Sequence, residues 1–332
     1  ATGAALSYSW YKDGSAIAVV DDAVISNSNS ANITFTSATA AYAGSYAVKV
    51  TGTCGIVNAT GNLVIREPIV FTTQPLTQTL CSGSGVTLSV AVTGDGPIYQ
   101  WQKLVGAAFV NEPGASTNST YTLSPVVAGI YRCEVTTTHC GIYYSSQATL
   151  TVNPTTAITT NPASQNACVG SNVTFSVVAT GVGLTYQWIK NGASMGVGYT
   201  NSSFTLTNIT TADAGSYTCT VTGTCGPAVT TPVAGDLTVD VASVISNHPQ
   251  SANVCSASNT SLTVTLSAGT NPVYQWYFDS DLDGIFVAVG VNSPIFSIIG
   301  FGAANAGDYK VTITNNCGTI TSQVARLTLE SA

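Results

Sequence analysis

The sequence predicts an all-β fold built as a tandem array of four sandwich units, because two aromatic signals recur along its 332 residues. The four tryptophans are 91, 87 and 88 residues apart. Each is followed, 29 to 36 residues later, by the tyrosine of a Gly-x-Tyr motif. A period of this length indicates a repeat array, not one large globule. The recurring pairs are Trp10 with Tyr46, Trp101 with Tyr131, Trp188 with Tyr217, and Trp276 with Tyr309.

The third repeat shows most clearly why each unit is expected to be a β-sandwich. Several segments alternate apolar and polar residues, which is typical of half-buried strands. Asn191-Gly192 supplies a turn between two of them, and no helical periodicity is visible. The alternating apolar positions are Val173, Phe175 and Val177, then Leu184, Tyr186 and Trp188, then Tyr217, Cys219 and Val221.

The period divides the chain into four domains of one kind, at residues 1–66, 67–153, 154–240 and 241–332. The linkers are short and contain no Gly/Ser tract, so one strand leads almost directly into the next repeat. Such linkers favour extended, stiff connections. We therefore expect a semi-rigid rod of beads joined end to end.

The first repeat is shorter than the others, since only nine residues precede Trp10. Its first two strands and a partner for Cys54 are missing, which would expose core and leave an unpaired edge. Three explanations stay open: the segment belongs to a longer repeat chain, another copy lends the strands, or the repeat is partly unfolded. Cys54 is accordingly a candidate for an intermolecular or upstream disulfide.

Composition excludes several functional classes. Only 7% of residues are charged, the net charge is -7, and eight residues are Lys or Arg. Nucleic acids and anionic membrane surfaces require a basic footprint that this chain lacks. No apolar run approaches the roughly 20 residues of a spanning helix, so no membrane insertion is expected. No signal peptide opens the sequence.

The nine cysteines predict disulfides and therefore an extracellular or cell-surface location. Three repeats carry one cysteine before the second strand and another in a Cys-Gly turn near the end. The fourth repeat contains only such a pair, and the absence of any CxxC disfavours a zinc site. A disulfide closing a loop of this length would contribute roughly 4 kcal/mol. The predicted pairs are Cys81–Cys140, Cys168–Cys225 and Cys255–Cys317.

The motifs of the third repeat resemble those of an immunoglobulin-like domain of the intermediate-set type. They are Val173-Thr174-Phe175, Tyr186-Gln187-Trp188, and the run from Ala212 to Cys219. The resemblance implies that Trp188 packs between two sheets and that Tyr217 forms a tyrosine corner. It covers repeats two to four in full and repeat one in part. Tandem copies of this Thr/Ser/Asn-rich, charge-poor composition are similar to the stalks of bacterial surface adhesins and filaments.

The antibody-type disulfide between the second and sixth strands cannot form, because valine or leucine stands at the second-strand positions. Cys133 and Cys219 occupy the sixth-strand position without a mate. We expect both to be buried, where free cysteine behaves as a small hydrophobic residue.

The run Asp279-Ser280-Asp281-Leu282-Asp283-Gly284 fits the first half of a calcium loop. The Ile285 carbonyl would be a further ligand, but Gly290 stands where the bidentate Glu of an EF-hand belongs. Two interpretations remain open: an acidic, solvated hairpin turn, or a site for Ca²⁺ or a similar hard cation. No other cofactor is indicated.

No constellation indicates catalysis, because the two histidines lie in different repeats and the glutamates are isolated. We therefore expect that the chain is not an enzyme. The leading hypothesis is an extracellular structural or adhesive protein, a stalk or filament segment that contacts its own kind and a surface ligand. The alternative is a carbohydrate- or protein-binding module, including the non-catalytic part of a secreted enzyme.

Overall fold

The computed structural model describes residues 1–16, 18–112 and 117–330, and over these ranges the chain is built from β-strands and three short 3-10 helices. The all-β prediction is confirmed. Contacts divide the chain into two units, Ala1–Val152 and Asn153–Ala332, and each is described by itself. The 3-10 helices are Ala40–Tyr42, Thr211–Asp213 and Ala303–Asn305.

The first repeat consists of a three-stranded antiparallel sheet in the order β1-β4-β5 and a small pair, β2-β3. Trp10 on the first strand lies opposite Val48. The strands are β1 (Ser7–Lys12), β2 (Ile25–Ser26), β3 (Thr34–Phe35), β4 (Gly44–Gly52) and β5 (Gly55–Leu63).

The second repeat is a two-layered sandwich. One sheet has the order β11-β10-β13-β15-β7, with β14 also paired to β13, and the other layer holds the pairs β8-β12 and β6-β9. The strands are β6 (Val70–Thr73), β7 (Gln78–Cys81), β8 (Val86–Ser89), β9 (Ala91–Thr93), β10 (Ile98–Val105), β11 (Ala108–Asn111), β12 (Thr120–Leu123), β13 (Gly129–Thr137), β14 (Gly141–Tyr144) and β15 (Ala148–Asn153).

The third repeat has the same arrangement, with the larger sheet in the order β17-β25-β23-β20-β21 and β24 paired to β23. The pairs β18-β22 and β16-β19 form the facing layer. The strands are β16 (Ala157–Thr160), β17 (Gln165–Cys168), β18 (Val173–Ser176), β19 (Val178–Thr180), β20 (Thr185–Lys190), β21 (Ala193–Ser194), β22 (Ser203–Leu206), β23 (Gly215–Thr222), β24 (Val229–Thr230) and β25 (Gly235–Asp240).

The fourth repeat follows the third strand by strand. Its larger sheet has the order β27-β35-β33-β30-β31 with β34 on β33, and the facing pairs are β28-β32 and β26-β29. The strands are β26 (Val244–Asn247), β27 (Ala252–Cys255), β28 (Thr260–Thr263), β29 (Thr265–Ala268), β30 (Val273–Asp279), β31 (Val287–Val289), β32 (Ile295–Ile298), β33 (Gly307–Asn315), β34 (Gly318–Thr321) and β35 (Ala325–Glu330).

The tryptophans lie at the centres of the sandwiches, where the period placed them. In repeats two to four the side chain is 0% exposed. Each indole N–H donates to a backbone carbonyl, so the one polar atom of the side chain is satisfied inside the core. The acceptors are the carbonyls of Asn118 at 3.2 Å, Asn201 at 2.9 Å and Ser293 at 2.9 Å.

The four motif tyrosines form tyrosine corners. Each hydroxyl donates to the carbonyl four residues earlier, which ties the start of the long central strand to the turn before it. The donor–acceptor distances are 2.9 Å for Tyr46 to Tyr42, 3.1 Å for Tyr131 to Val127, 2.6 Å for Tyr217 to Asp213 and 2.8 Å for Tyr309 to Asn305.

The first repeat is more open than the other three. Trp10 is only partly buried, although its indole still donates to Ser30 at 3.0 Å. Among the described residues, β5 pairs only with β4 and is exposed along nearly its whole length. In repeats two to four the corresponding edge is covered by β7, β17 or β27. The expected exposed core and open edge are therefore present.

Candidate functional site

Each cysteine before the second strand of its repeat is the last residue of a short strand. The direction of that short strand determines which cysteine can be its partner. In repeat three, β17 runs parallel to β25, with Cys168 opposite Asp240 at the last residue of β25. The Cys-Gly turn at Cys225 comes before β25 begins. The two cysteines therefore lie at opposite ends of a six-residue strand, about 20 Å long at roughly 3.3 Å per residue. A disulfide requires Cα atoms within about 7 Å.

Cys168 instead bonds Cys317, the Cys-Gly turn of repeat four, across 149 residues and with a Cα–Cα distance of 5.6 Å. The predicted pairs Cys168–Cys225 and Cys255–Cys317 are therefore wrong. The pair Cys81–Cys140 is wrong as well, because Cys140 is free. Cys81 and Cys225 are each disulfide-bonded, whereas Cys255 is an exposed free thiol. Spacing alone could not separate bonds within a repeat from bonds between repeats.

The disulfide is the centre of a contact between repeats three and four that we call the cysteine junction: Asp240, Val241, Thr270, Asn315 and Asn316 around Cys168–Cys317. The Asn315 side chain donates to the Val241 carbonyl at 2.7 Å, and the Asn316 side chain donates to the Asp240 carboxylate at 2.8 Å. The Val241 amide donates to the Thr270 hydroxyl at 2.9 Å. The turn of repeat four thus grips the linker that precedes it.

Hydrogen bonds set the charge state of the junction. The Asn316 side chain, followed by those of Thr270 and Asn166, lowers the pKa of Asp240 below its usual value by donating to the carboxylate. Asp240 also lies opposite Cys168 in the strand register. The carboxylate is therefore ionised at neutral pH and acts as the acceptor that orients the incoming Cys-Gly turn.

Related turns contact the linker of their own repeat elsewhere in the chain. In repeat three, the amide and hydroxyl of Thr156 both donate to the Cys225 carbonyl. In repeat two, Cys140 and His139 line a small cleft of about 70 Å³ together with Arg66 and Asp95 near the preceding linker. A turn that contacts the linker of its own repeat is thus a recurring feature, of which the sequence shows only the Cys-Gly motif.

The acidic run of repeat four forms a tight turn at the end of β30. The carboxylate of Asp279 accepts the Leu282 amide at 2.8 Å and the Gly284 amide at 2.9 Å. Asp283 accepts the Ile285 amide at 2.8 Å. Leu282 and Gly284 have φ angles of 65° and 89°, which the turn requires.

The same turn brings three carboxylates together, because oxygens of Asp279, Asp281 and Asp283 all lie within 4.8 Å of one another. Repulsion from Asp283 raises the pKa of Asp281. Oxygen donors of this kind suit a hard cation such as Ca²⁺, with Asp281 and Asp283 exposed and Asp279 buried. Asp279 already stabilises the turn through backbone N–H groups, so both sequence-based interpretations are compatible with the geometry.

The two sixth-strand cysteines are fully buried, each opposite the tryptophan of its repeat: Cys133 faces Trp101 and Cys219 faces Trp188. Burial raises the pKa of Cys133 to about 12 and that of Cys219 to about 11. Both are free thiols that fill core space.

Repeat two carries a surface feature that sequence reasoning missed. The Arg132 guanidinium lies 3.9 Å from the ring centroid of Phe109 and 3.8 Å from that of Tyr144. The Arg132 Nε donates to Gln102 at 2.8 Å. This Arg132 stack combines a cation with two aromatic rings on the solvent side of the larger sheet. The three side chains of the stack come from three different strands, so no local sequence motif predicts it.

Comparison with known proteins supports the fold. Residues 157–222 match a family model described as an immunoglobulin domain, and residues 70–154 match one described as a domain of unknown function. Human Roundabout homolog 2 is 26% identical over 208 residues, which cover 55% of this chain. The chain spans 15% of the length of that relative.

Solved structures show the same architecture. The I-band fragment I67–I69 from titin matches with a TM-score of 0.53 and 18% identity, over 81% of this chain and 100% of the fragment. The N-terminal eight Ig domains of the Down syndrome cell adhesion molecule match with a TM-score of 0.54 and 17% identity, over 98% of this chain and 45% of that chain. The chain consists of tandem immunoglobulin-like β-sandwiches. Among the described residues, no helix has the length and apolar character needed to cross a bilayer.

Proposed function

We propose that this chain is an extracellular structural or adhesive protein, a stalk or filament segment in which immunoglobulin-like repeats are locked to one another. The observation that carries the proposal is the disulfide between repeats three and four. A bond within a repeat stabilises one bead, whereas a bond between repeats restricts the hinge. Disulfides persist in oxidising compartments, which supports an extracellular or cell-surface location.

The comparisons support an adhesion-type protein with tandem immunoglobulin-like domains, but they do not identify its partner. The name of the Down syndrome cell adhesion molecule refers to cell adhesion. The charge-poor, Thr/Ser/Asn-rich composition supports a bacterial surface protein of the stalk type. That the chain is not an enzyme stays a prediction, and a non-catalytic part of a secreted enzyme remains the alternative.

Electron microscopy of the purified chain tests the stalk role. We expect elongated particles one repeat wide, whose angle between repeats three and four is narrowly distributed. Cys317→Ser should broaden that angle, and Cys219→Ser, which removes a thiol outside the junction, should leave it unchanged. Compact particles, or equal distributions in all three proteins, would refute the proposal.

The Arg132 stack favours a second candidate, a binding module for a carbohydrate or protein ligand. Stacked rings and a guanidinium offer both an apolar platform and hydrogen-bond donors. Screening on a glycan array and against cell-surface extracts, with Arg132→Ala as the comparison, tests this role. Binding that Arg132→Ala does not reduce would place the ligand elsewhere, and Lys49→Ala in repeat one serves as the matched loss of a cation.

A further inference from the structure

Two free cysteines, Cys255 in repeat four and Cys54 in repeat one, lie in the same local structures as the two cysteines of the disulfide that joins repeats three and four. Cys168 ends β17, which pairs in parallel with β25 and faces Asp240. Cys255 ends β27, which pairs in parallel with β35 and faces Glu330. Register, strand length and strand direction agree, so Cys255 stands in repeat four where Cys168 stands in repeat three. Cys168 is bonded, whereas Cys255 is free and exposed.

The second half of the bond is present in repeat one. Cys317 lies in a two-residue turn closed by the pair Asn315↔Gly318. Cys54 lies in a two-residue turn closed by Gly52↔Gly55. Both cysteines precede the closing glycine of an antiparallel hairpin, and Cys54 is exposed and free.

Cys140 is a poorer match to Cys317. Its turn has three residues between the closing pair Thr137↔Gly141, one more than the turns that hold Cys317 and Cys54. It is also less exposed than Cys54. Of the free turn cysteines, Cys54 therefore reproduces the geometry of Cys317.

We propose that Cys255 of one copy forms a disulfide with Cys54 of a second copy, in the register of the Cys168–Cys317 bond, and so joins copies end to end. The flanking groups are compatible with this contact. In the cysteine junction, Asn316 donates to Asp240, the residue opposite Cys168. In the intermolecular contact, Thr53 takes the place of Asn316 as the hydrogen-bond donor and Glu330 takes the place of Asp240 as the carboxylate acceptor.

The chemistry of the link is an ordinary thiol oxidation by a disulfide oxidant. One S–S bond forms between Cys255 and Cys54, and two S–H bonds are lost. The two electrons and two protons reduce the oxidant disulfide to two thiols. Because the partner is a separate molecule, the yield should rise with protein concentration, unlike that of the Cys168–Cys317 bond.

The test uses the full chain carrying Cys140→Ser, with its existing disulfides intact. Incubation with glutathione disulfide at several protein concentrations should give a ladder of dimers, trimers and longer species on non-reducing gels. Peptide mapping should identify Cys54 linked to Cys255. Cys54→Ser or Cys255→Ser alone should cause loss of the whole ladder. Both residues are exposed, and unchanged melting temperatures should establish that the variants are folded.

A mixture of the two single variants gives the sharpest result. One variant supplies only Cys54 and the other only Cys255, so a single link can form, and the expected product is a dimer with no longer species. Links between identical cysteines, a ladder that survives either substitution, or no ladder at any concentration would overturn the proposal. The inference rests on the proposed filament role. Elongated single molecules without a ladder would reject the inference and leave the stalk role standing.

Discussion

At the scale of single residues, the fold depends on polar atoms that are buried together with their partners. The tryptophan N–H groups and the tyrosine hydroxyls all reach backbone carbonyls, so large aromatic rings fill the core without leaving an unsatisfied donor. This pattern explains why aromatic residues with one polar atom recur where leucine or phenylalanine would fill similar space.

Replacing Tyr309 by phenylalanine should lower the free energy of unfolding of repeat four by about 1 kcal/mol, because the hydrogen bond to Asn305 is lost while the ring remains. Chemical denaturation measures the change. Tyr277→Phe, in the same repeat but with a hydroxyl that hydrogen-bonds to none of the described residues, is the control. Equal losses in the two variants would show that the tyrosine corner adds nothing.

Stability should fall as pH rises from about 10 to about 12. Burial raises the pKa of Tyr131, Tyr217 and Tyr309 to about 12 from an ordinary value of 10.0. The unfolded chain loses these protons near pH 10 while the folded chain keeps them, so the stabilisation is complete below pH 10 and is lost as pH approaches 12. Denaturation midpoints measured across this range test the direction. Midpoints that rise with pH would contradict the assignment.

The positions of core residues could be predicted from the sequence where a spacing is compatible with only one structure. Trp188 and Tyr217 follow from the strand alternation and the motif around them. Cysteine pairing could not be predicted, since its outcome depends on the parallel direction of β17 against β25. The motif gives the identity of Cys168 but not the end of the sandwich at which it lies.

At the scale of structural elements, the cysteine junction joins a strand end, a linker and a hairpin turn. Reducing the Cys168–Cys317 bond should loosen this contact more than the sandwiches, because every core residue stays within its own repeat. Hydrogen exchange should therefore accelerate at the amides of Val241 and Thr270, which bond these two residues to each other beside the disulfide.

The amides of Val311 and Ile313, in the buried part of β33, provide the internal comparison. They should exchange at the same rate before and after reduction. If these core amides accelerate as much as those of Val241 and Thr270, the disulfide stabilises the fold of repeat four and not its attachment.

The aspartate turn yields a prediction that does not depend on a bound ion. Asp283 raises the pKa of Asp281, so the charged form of Asp281 is disfavoured in the folded state. The associated stability is lost as pH rises through that raised pKa, and at neutral pH the repulsion is fully present. Asp281→Asn should therefore raise the melting temperature in a chelating buffer at pH 7.

Added calcium then separates the two interpretations of the turn. If the turn binds the ion, calcium should raise the melting temperature of the wild type and have no effect on Asp281→Asn. Ser280→Ala, which changes a neighbouring residue without altering the charge, is the control. A wild type that does not respond to calcium would identify a solvated turn. The carboxylate spacing could be predicted from the residue order, whereas the hydrogen bonds of Asp279 depend on the folded hairpin.

At the scale of the whole molecule, the all-β class could be predicted from the recurring aromatic residues and the alternation of apolar and polar residues around them, because Trp101, Trp188 and Trp276 each lie in a buried core. The Arg132 stack could not be foreseen, since it gathers residues from β11, β13 and β14.

The low charge content predicts that ionic strength has little effect on stability. The described residues form two ion pairs between side chains, Lys12 with Asp13 and Arg326 with Asp308, both at the surface. Raising sodium chloride from 0.05 to about 1 M should shift the melting temperature by no more than a few degrees. A large fall would show that charge interactions contribute more than these two pairs indicate.

The burial of the thiols in the cores of repeats two and three limits which cysteines can form disulfides. The thiolate is the attacking species in thiol–disulfide exchange. Once each sandwich has folded around Cys133 or Cys219, burial keeps the thiol protonated at neutral pH, so it does not react. Oxidation after folding then excludes these two sulfurs. Packing thereby keeps Cys133 and Cys219 from competing with the other cysteines for disulfide partners.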